Sequence, residues 1–347
     1  METTLAALRC VLLAAMLPAI IASDPVHAAD AQAAPELKLS VAVGPALPLG
    51  KAAERWGVLL NERADKRFLT KLYAGASLAG RDPAREFASL QEGAADLAVG
   101  SALQWSLQVP SLGVFCLPWI APENRTLEAL TANAPLRDAL LTRLDARGVV
   151  LVALAPLGYR ELATLTRAVR APADLKGLRL RASAAPMVHD TLLALGARPQ
   201  AMPFTQAQAA FASGALDGQE GPPSALATAR AAMGGVRHLT DWGAIADVMV
   251  FAVRKAVWMA WSEGERAAAR QAALQAIADT GALAREDAAV RQLSANGVSV
   301  VRITAAGHEA FRAAVQSVSA RWREAAGSDV VALAEQAVAA STHPPGK

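Results

Sequence analysis

Cysteine and histidine are scarce, with two and five copies in 347 residues. Cys10 falls in the apolar N-terminal run, which leaves Cys116 as the one thiol of a mature chain, and a single thiol cannot close an internal disulfide. Its neighbours Val114, Phe115 and Leu117 are apolar, the setting of a buried, inert thiol rather than a nucleophile. His189, His238, His308 and His343 stand at no metal-ligand spacing from one another or from a cysteine, so no metal site is expected. A Gly-x-Ser-x-Gly elbow and a glycine-rich phosphate loop are both lacking. Carboxylates are plentiful, but any two of them could be paired on paper. These absences remove the usual grounds for an enzyme and leave a binding protein with no catalytic residue and no cofactor as the expectation.

Long apolar runs are lacking too, once the N-terminus is set aside. Met1–Arg9 carries one basic residue, and Cys10–Ala22 is apolar but too short for a bilayer core, which takes about 20 residues. Val26-His27-Ala28 offers small residues at the positions that precede cleavage. Residues 1–28 therefore read as a signal peptide, cut after Ala28 or Ala29. Arg9 directly before Cys10 argues against lipid attachment, so the mature chain is expected free in the periplasm. The formal net charge is +3, and removing the leader raises it slightly because Glu2 and Asp24 leave with Arg9. Basic residues are scattered without a dense run or interleaved aromatics, which argues against nucleic acid as a partner. A mild positive excess favours small anions in general terms.

What is present is a long chain with alternating strand and helix signals, too long for one compact core and suited to two domains. Leu37–Val43 alternates as a strand. A helix follows from Leu49-Gly50 to about Ala64, with Ala53, Trp56, Leu59 and Leu60 on one face, then a strand over Phe68–Ala74. Asp82-Pro83 opens a helix to Gln91, and Asp96–Ser101 reads as a short buried strand. This βαβαβ opening predicts a parallel sheet with ligand bound beyond the carboxyl ends of its strands, where the Ser101–Trp105 loop lies. A helical stretch over Pro122–Arg147 and a strand over Gly148–Ala155 close the first unit. The pattern restarts near Leu157, with strands at Leu178–Ser183 and Arg198–Pro203 and helices at Pro186–Leu195 and Thr205–Ser213. Val248–Arg254 is a strong strand, and mostly helical sequence then runs to Ala340, broken by a strand at Val298–Ile303.

Several ordered segments carry a family likeness: Pro172–Arg181 (PADLKGLRLR), Leu195–Phe204 (LGARPQAMPF) and Gly214–Pro222 (GALDGQEGP). Leu117-Pro118-Trp119, Gly158-Tyr159-Arg160, Ser77–Gly80 and Leu90–Val99 extend it, so that nearly all of residues 37–270 takes part. In this order they resemble the substrate-binding subunits of TRAP transporters. The resemblance implies an α/β, two-lobed periplasmic binding protein fold, each lobe a β-sheet flanked by helices, hinge-linked with a ligand cleft between. It places residues 37–157 plus 246–286 in the first lobe and 158–245 plus 287–340 in the second, with 341–347 a disordered tail.

By the same likeness Arg181 holds the ligand carboxylate and Arg160 contacts or stabilises the anion. A guanidinium suits this because it stays charged and meets a carboxylate with two parallel hydrogen bonds. Arg179 and Arg181, two apart on a strand, share a face. Two arginines in a partly closed cleft also call for a counter-anion, which favours anion capture. Gln219, Trp242, Ser101, Gln104 and Gly221 complete the candidate ligand-binding set. Trp105 and Trp119 are further pocket-wall candidates, and Pro45–Gly50 is expected to face the cleft. The sequence departs from the family pattern at Gly221, where an Asn is common, and at Gln206 and Gln208, where Glu and Tyr are usual, so which organic acid is bound stays open. The implied partners are a small organic acid and the membrane permease subunits of a TRAP transporter, with the chain itself a monomer. Presentation of ligand to a sensor kinase, or service to another transporter class, remains the alternative.

Overall fold

Alternation in the first segment produces strand β1 (Glu36–Val41), whose Leu39 and Val41 are fully buried. Helix Pro48–Arg63 follows and buries the expected face of Ala53, Trp56, Leu59 and Leu60. The computed structural model describes residues 34–63, 67–202, 204–233 and 235–342. The expected signal peptide and residues 343–347 lie outside that range. Ser341 and Thr342, expected to begin a disordered tail, are instead the last residues of helix Ser328–Thr342.

The remaining strands are β2 (Leu69–Tyr73), β3 (Leu97–Ser101), β4 (Val149–Thr164), β5 (Arg179–Ala182), β6 (Arg198–Ala201), β7 (Gly218–Gly221), β8 (His238–Arg254) and β9 (Ser299–Arg302). Their hydrogen-bonded order is β2-β1-β3-β8-β4-β7-β5-β6, with β9 on β8. Two parallel units, β2-β1-β3 and β7-β5-β6, thus flank one long antiparallel pair, β4 and β8. Each unit is flanked by helices and forms the sheet of one lobe, and the long pair runs through both.

The long strands correct the sequence reading. β4 was expected to stop at Ala155, yet it continues to Thr164; β8 was expected from Val248, yet it starts at His238. The signal that hid this is local. The pairing shifts register between Leu151 and Ala153, Pro156 and Gly158, and Arg160 and Leu162, and each shift inverts the apolar alternation while the strand goes on. The helical stretch before β4 is two helices, Asn124–Ala132 and Ala134–Asp145, separated at Asn133, whose side chain caps the second through Leu136 N at 2.9 Å. Helix Ser328–Thr342 packs on both of them, with Arg143 donating to Asp329 at 2.6 Å.

One core cluster lies around Trp56, Leu39 and Phe251 in the first lobe, and another around Phe211, Leu226 and Leu239 in the second. A larger cluster follows the long strands and joins Phe87, Trp105, Leu162, Leu180, Trp242 and Phe311. Gly100 is required here because a Cβ at that position would lie 2.0 Å from the Trp105 ring, which rests on β3.

Glu86, 1% exposed, ends in the same region, with Ser40 Oγ donating to its Oε1 at 3.0 Å. Burial pushes its carboxyl up to about 8, against the weaker pull of the Ser40 hydroxyl. The folded chain then keeps a proton that the unfolded chain releases near 4.5, so this group's contribution is complete below that pH and is lost as pH rises toward 8. Stability should decline across that window by up to ~1.4 kcal/mol per pH unit for this carboxyl. Urea midpoints measured from pH 5 to 8 should show a shallower decline for Glu86→Gln, and an unchanged slope would contradict the assignment.

Candidate functional site

The Asp-Leu-Lys-Gly turn sets up β5. Asp174 accepts from the backbone N–H groups of Arg170 at 2.8 Å and Ala171 at 3.0 Å, closing the short helix Pro172–Leu175. In β5, Leu180 and Ala182 are buried while Arg179 and Arg181 share the other face. Their tasks differ. Arg179 spends its fork on Asp217, with Nε to Oδ2 at 2.9 Å and Nη2 to Oδ1 at 2.7 Å, and so fastens β5 to the turn before β7. Arg181 donates Nε to the carbonyl of Met202 at 3.2 Å and pairs in register with Gln219 of β7. Burial lowers the pKa of Arg181, with Glu220 opposing and Arg160 adding to the effect. It remains a cation at any working pH.

Arg160, on β4, meets Glu220 of β7 through both ends of its fork: Nε to Oε2 at 2.6 Å and Nη2 to Oε1 at 3.0 Å. The pair is buried, 14% and 2% exposed by side chain. Burial works against the Arg160 charge, but the Glu220 carboxylate more than offsets it and holds the guanidinium above its ordinary value. The counter-anion expected from a ligand is therefore supplied at Arg160 by the protein itself. Glu220 Oε1 also accepts from Ser183 N, just past β5.

From Ser183 the hydrogen bonds cross to the first lobe. Gln104 Nε2 donates to Ser183 Oγ at 2.7 Å, and the short helix that carries Gln104 is capped by Ser101 Oγ. Ser101 in turn donates to Asp247 Oδ2 at 2.6 Å, while Asp247 Oδ1 accepts from Leu103 N and Val248 N. Burial pushes the Asp247 carboxyl up, and Ser101 and Arg160 pull it back. Cys116 lies beside this group, its thiol held well above the ordinary value by burial and by Asp247, which is the inert setting its neighbours suggest.

The structure thus brings Arg160, Arg181, Ser101, Gln104 and Gln219 to the junction of the lobes, but Trp242 differs from expectation. It is 2% exposed, donates Nε1 to the Arg160 carbonyl at 2.8 Å, and packs edge-on against Trp119 and Phe311. It is a core residue behind Arg160, not a pocket wall. Trp105 and Trp119 are buried as well. Trp119 adopts φ of 56°, held by its N–H to Ala244 O at 2.7 Å and its indole to Trp242 O at 3.0 Å. Gly221 ends β7 in an ordinary backbone conformation, and a Cβ there would meet only Leu226 Cδ2 at 3.8 Å. Gln206 and Gln208 are exposed. Gln219 is buried, and its Oε1 has no hydrogen-bond partner.

Sequence reasoning missed Glu220 and Asp247. For Asp247 the available signal was a lone acid inside an apolar strand segment, since a buried carboxylate requires a partner; Glu220, in Gly-Gln-Glu-Gly, carried no such signal.

Two cavities frame the junction. One of about 380 Å³ lies between β4, β8 and helix Ala282–Ala295, and includes neither Arg160 nor Arg181 in its lining. Glu123, Glu161, Asp241, Glu286 and Asp287 face it together with Arg291 and Arg302, and burial raises the carboxyls of Glu161, Asp241 and Glu286. The other, about 300 Å³, is lined by Ala46 and Pro48 together with Ser224, Thr228 and Arg285.

The family model of the bacterial extracellular solute-binding proteins, family 7, matches residues 39–325. A solute-binding protein of Verminephrobacter eiseniae is 26% identical over 275 residues, covering 79% of this chain and 81% of that protein. The C4-dicarboxylate-binding periplasmic protein of Rhodobacter capsulatus is 29% identical over 193 residues, 55% of this chain and 57% of that one. An uncharacterized protein of Sinorhizobium fredii is 34% identical over 192 residues, so that the match spans 35% of its length. Among solved structures, a TRAP periplasmic solute binding protein from Ralstonia eutropha H16 with bound (S)-2-acetolactate is 40% identical. It covers 88% of this chain and 98% of its own, with a TM-score of 0.82. The galactonate complex of a sugar acid binding protein from Advenella mimigardefordensis shares the fold at 22% identity and a TM-score of 0.79, covering 89% of this chain and 99% of its own.

Because Arg160 and Glu220 are buried together, removing one charge leaves the other without compensation. Glu220→Gln should lower the unfolding free energy by about 3–5 kcal/mol, and Arg160→Met combined with Glu220→Gln should recover most of that loss. Denaturant titration of the three proteins decides it; equal stability of wild type and the single variant would contradict the pairing.

Proposed function

The chain belongs to the bacterial extracellular solute-binding proteins of family 7, the TRAP solute-binding type, and from that premise we propose that it captures a small organic acid between its lobes and delivers it to the membrane permease subunits of a TRAP transporter. The observation that carries the reading is the half-buried guanidinium of Arg181 at the carboxyl end of β5, the end at which parallel sheets receive ligands. There it meets the ligand carboxylate. The acetolactate in the relative from Ralstonia eutropha is such an acid, and the protein from Rhodobacter capsulatus is named for C4-dicarboxylates.

Gln104 reaches across from the first lobe to Ser183 of the second, which supports a cleft that closes over its ligand. Ligand can shift an open-closed equilibrium only by binding the two forms differently, so contacts from both sides are needed. Gly221 leaves space beside the site where a larger residue would take it. The lobes comprise residues 37–157 plus 246–286 and 158–245 plus 287–340, with the last helix leaning on the first lobe. The protein works in the periplasm as a monomer after loss of its signal peptide, without catalysis and without nucleic acid. Among the described residues no helix is long and apolar enough to cross a membrane.

A thermal-shift screen of the mature chain against carboxylic acids tests the reading. Ligand at a hundred times its dissociation constant should stabilise by about 2.7 kcal/mol, a shift of several degrees. Arg181→Ala should lose that shift while keeping its unliganded melting temperature within a few degrees. A shift preserved in the variant would move the carboxylate elsewhere.

A further inference from the structure

β7 is the strand that joins β4, which carries Arg160, to β5, which carries Arg181. It has little to define its own place, being four residues long, Gly-Gln-Glu-Gly, with glycines at both ends that offer no side chain to pack. Its start is fastened by the Arg179 fork on Asp217. Past its end come Pro222 and Pro223, neither with an N–H to donate, so Ser224 is the first residue after β7 whose backbone N–H can be held from outside. Both donors of Ser224 go to one carboxyl: the backbone N to Oε2 of Glu286 at 2.8 Å, and Oγ to Oε1 at 2.6 Å.

Glu286 is 5% exposed and reaches this point from helix Ala282–Ala295. Its stem passes over β4 at Gly158, where a Cβ would lie 3.0 Å from Glu286 Cγ. One side chain thus meets β4 two residues before Arg160 and the chain three residues past Gly221. Empty space lies on either side of the contact, since Glu286 borders the cavity of about 380 Å³ and Ser224 the one of about 300 Å³. A lost hydrogen bond here therefore leaves the chain room to shift. Burial pushes the Glu286 carboxyl up, Ser224 and Arg160 pull it back, and Asp287 adds to the rise. In either protonation state one oxygen accepts from the Ser224 N–H while the other shares a hydrogen with the hydroxyl.

We infer that Glu286 is a positioning residue for ligand capture: clamped on Ser224, it fixes the end of β7 against β4 and so sets the spacing of the strands that carry Arg160, Glu220 and Arg181. The inference rests on the capture reading above and adds a residue that meets no ligand itself.

Calorimetric titration of the mature chain with acetolactate, lactate and succinate first finds the acids that the wild type binds, and unliganded melting temperatures are measured alongside. Glu286→Leu keeps the bulk and removes both hydrogen bonds, and it should weaken binding about tenfold. Ser224→Ala, the milder change, should weaken it about threefold, and combined with Glu286→Leu it should add nothing further. Glu286→Gln should restore binding to within about twofold, because its amide can accept from the Ser224 N–H and donate to Oγ. A Leu variant that melts lower but binds as tightly as the wild type has lost only stability, and it overturns the positioning role while acid capture stands. A Gln variant as weak as the Leu variant overturns it too, since the clamp would then not be what was lost. Binding of none of the acids by the wild type overturns the capture reading itself, and the role of Glu286 with it.

Discussion

The antiparallel pairing of β4 with β8 is the constraint on which the rest of the structure depends. It extends from Val149 opposite Arg254 to Thr164 opposite His238, and both parallel units are hydrogen-bonded to its flanks. Two strands of this length would form a smoothly twisted ribbon if the ladder were regular. Three register shifts interrupt it, and a bulge increases the local twist of its strand. Arg160 lies at the last of these shifts, and Asp247 is paired with Gly158 at the one before. The polar groups of the junction therefore occur where the ladder is least regular and where side chains are re-aimed.

Irregular backbone at a buried junction needs partners for its polar groups, and the structure supplies them with carboxyl groups. Glu161 accepts from the Trp242 backbone N–H at 2.8 Å, Asp247 accepts from Leu103 and Val248, and Glu220 accepts from Ser183. Each acid thus ties one long strand or one lobe to its neighbour. Burial costs such groups dearly, which is visible in the upward displacement of Glu161 to about 8 and in that of Asp247. Glu220 meets the fork of Arg160 in direct contact. In the reading proposed above, Arg160 and Glu220 hold β4 to β7 and the ligand carboxylate is assigned to Arg181.

Much of the architecture was legible in the sequence because short strands and helices announce themselves by period and cap. β1, β5 and β6 with the helices after them, and β3 itself, occur where alternation, Asp-Pro and Gly signals placed them, within a few residues, whereas Ala102–Trp105, expected as part of a loop, is a short helix. The long strands were not legible, since the local pattern ends one strand at Ala155 and opens the other at Val248, and only long-range pairing shows that the ladder continues. The same limit applied at the site. Charged residues at Arg160 and Arg181 could be picked out, but partner choice is a tertiary property, and nothing local separates an arginine held by Glu220 from one held by a carbonyl of Met202. Trp242 was misplaced for a related reason: a tryptophan beside a polar segment can wall a pocket or fill a core, and here its indole satisfies the Arg160 carbonyl from inside.

A crystal structure of the mature chain with a bound carboxylate ligand tests the assignment to Arg181 most directly. The account predicts the ligand carboxylate on the guanidinium of Arg181, with the Arg160 fork still closed on Glu220. A carboxylate seated on Arg160 with Glu220 displaced, or a ligand held in the acidic cavity behind β4, would contradict it.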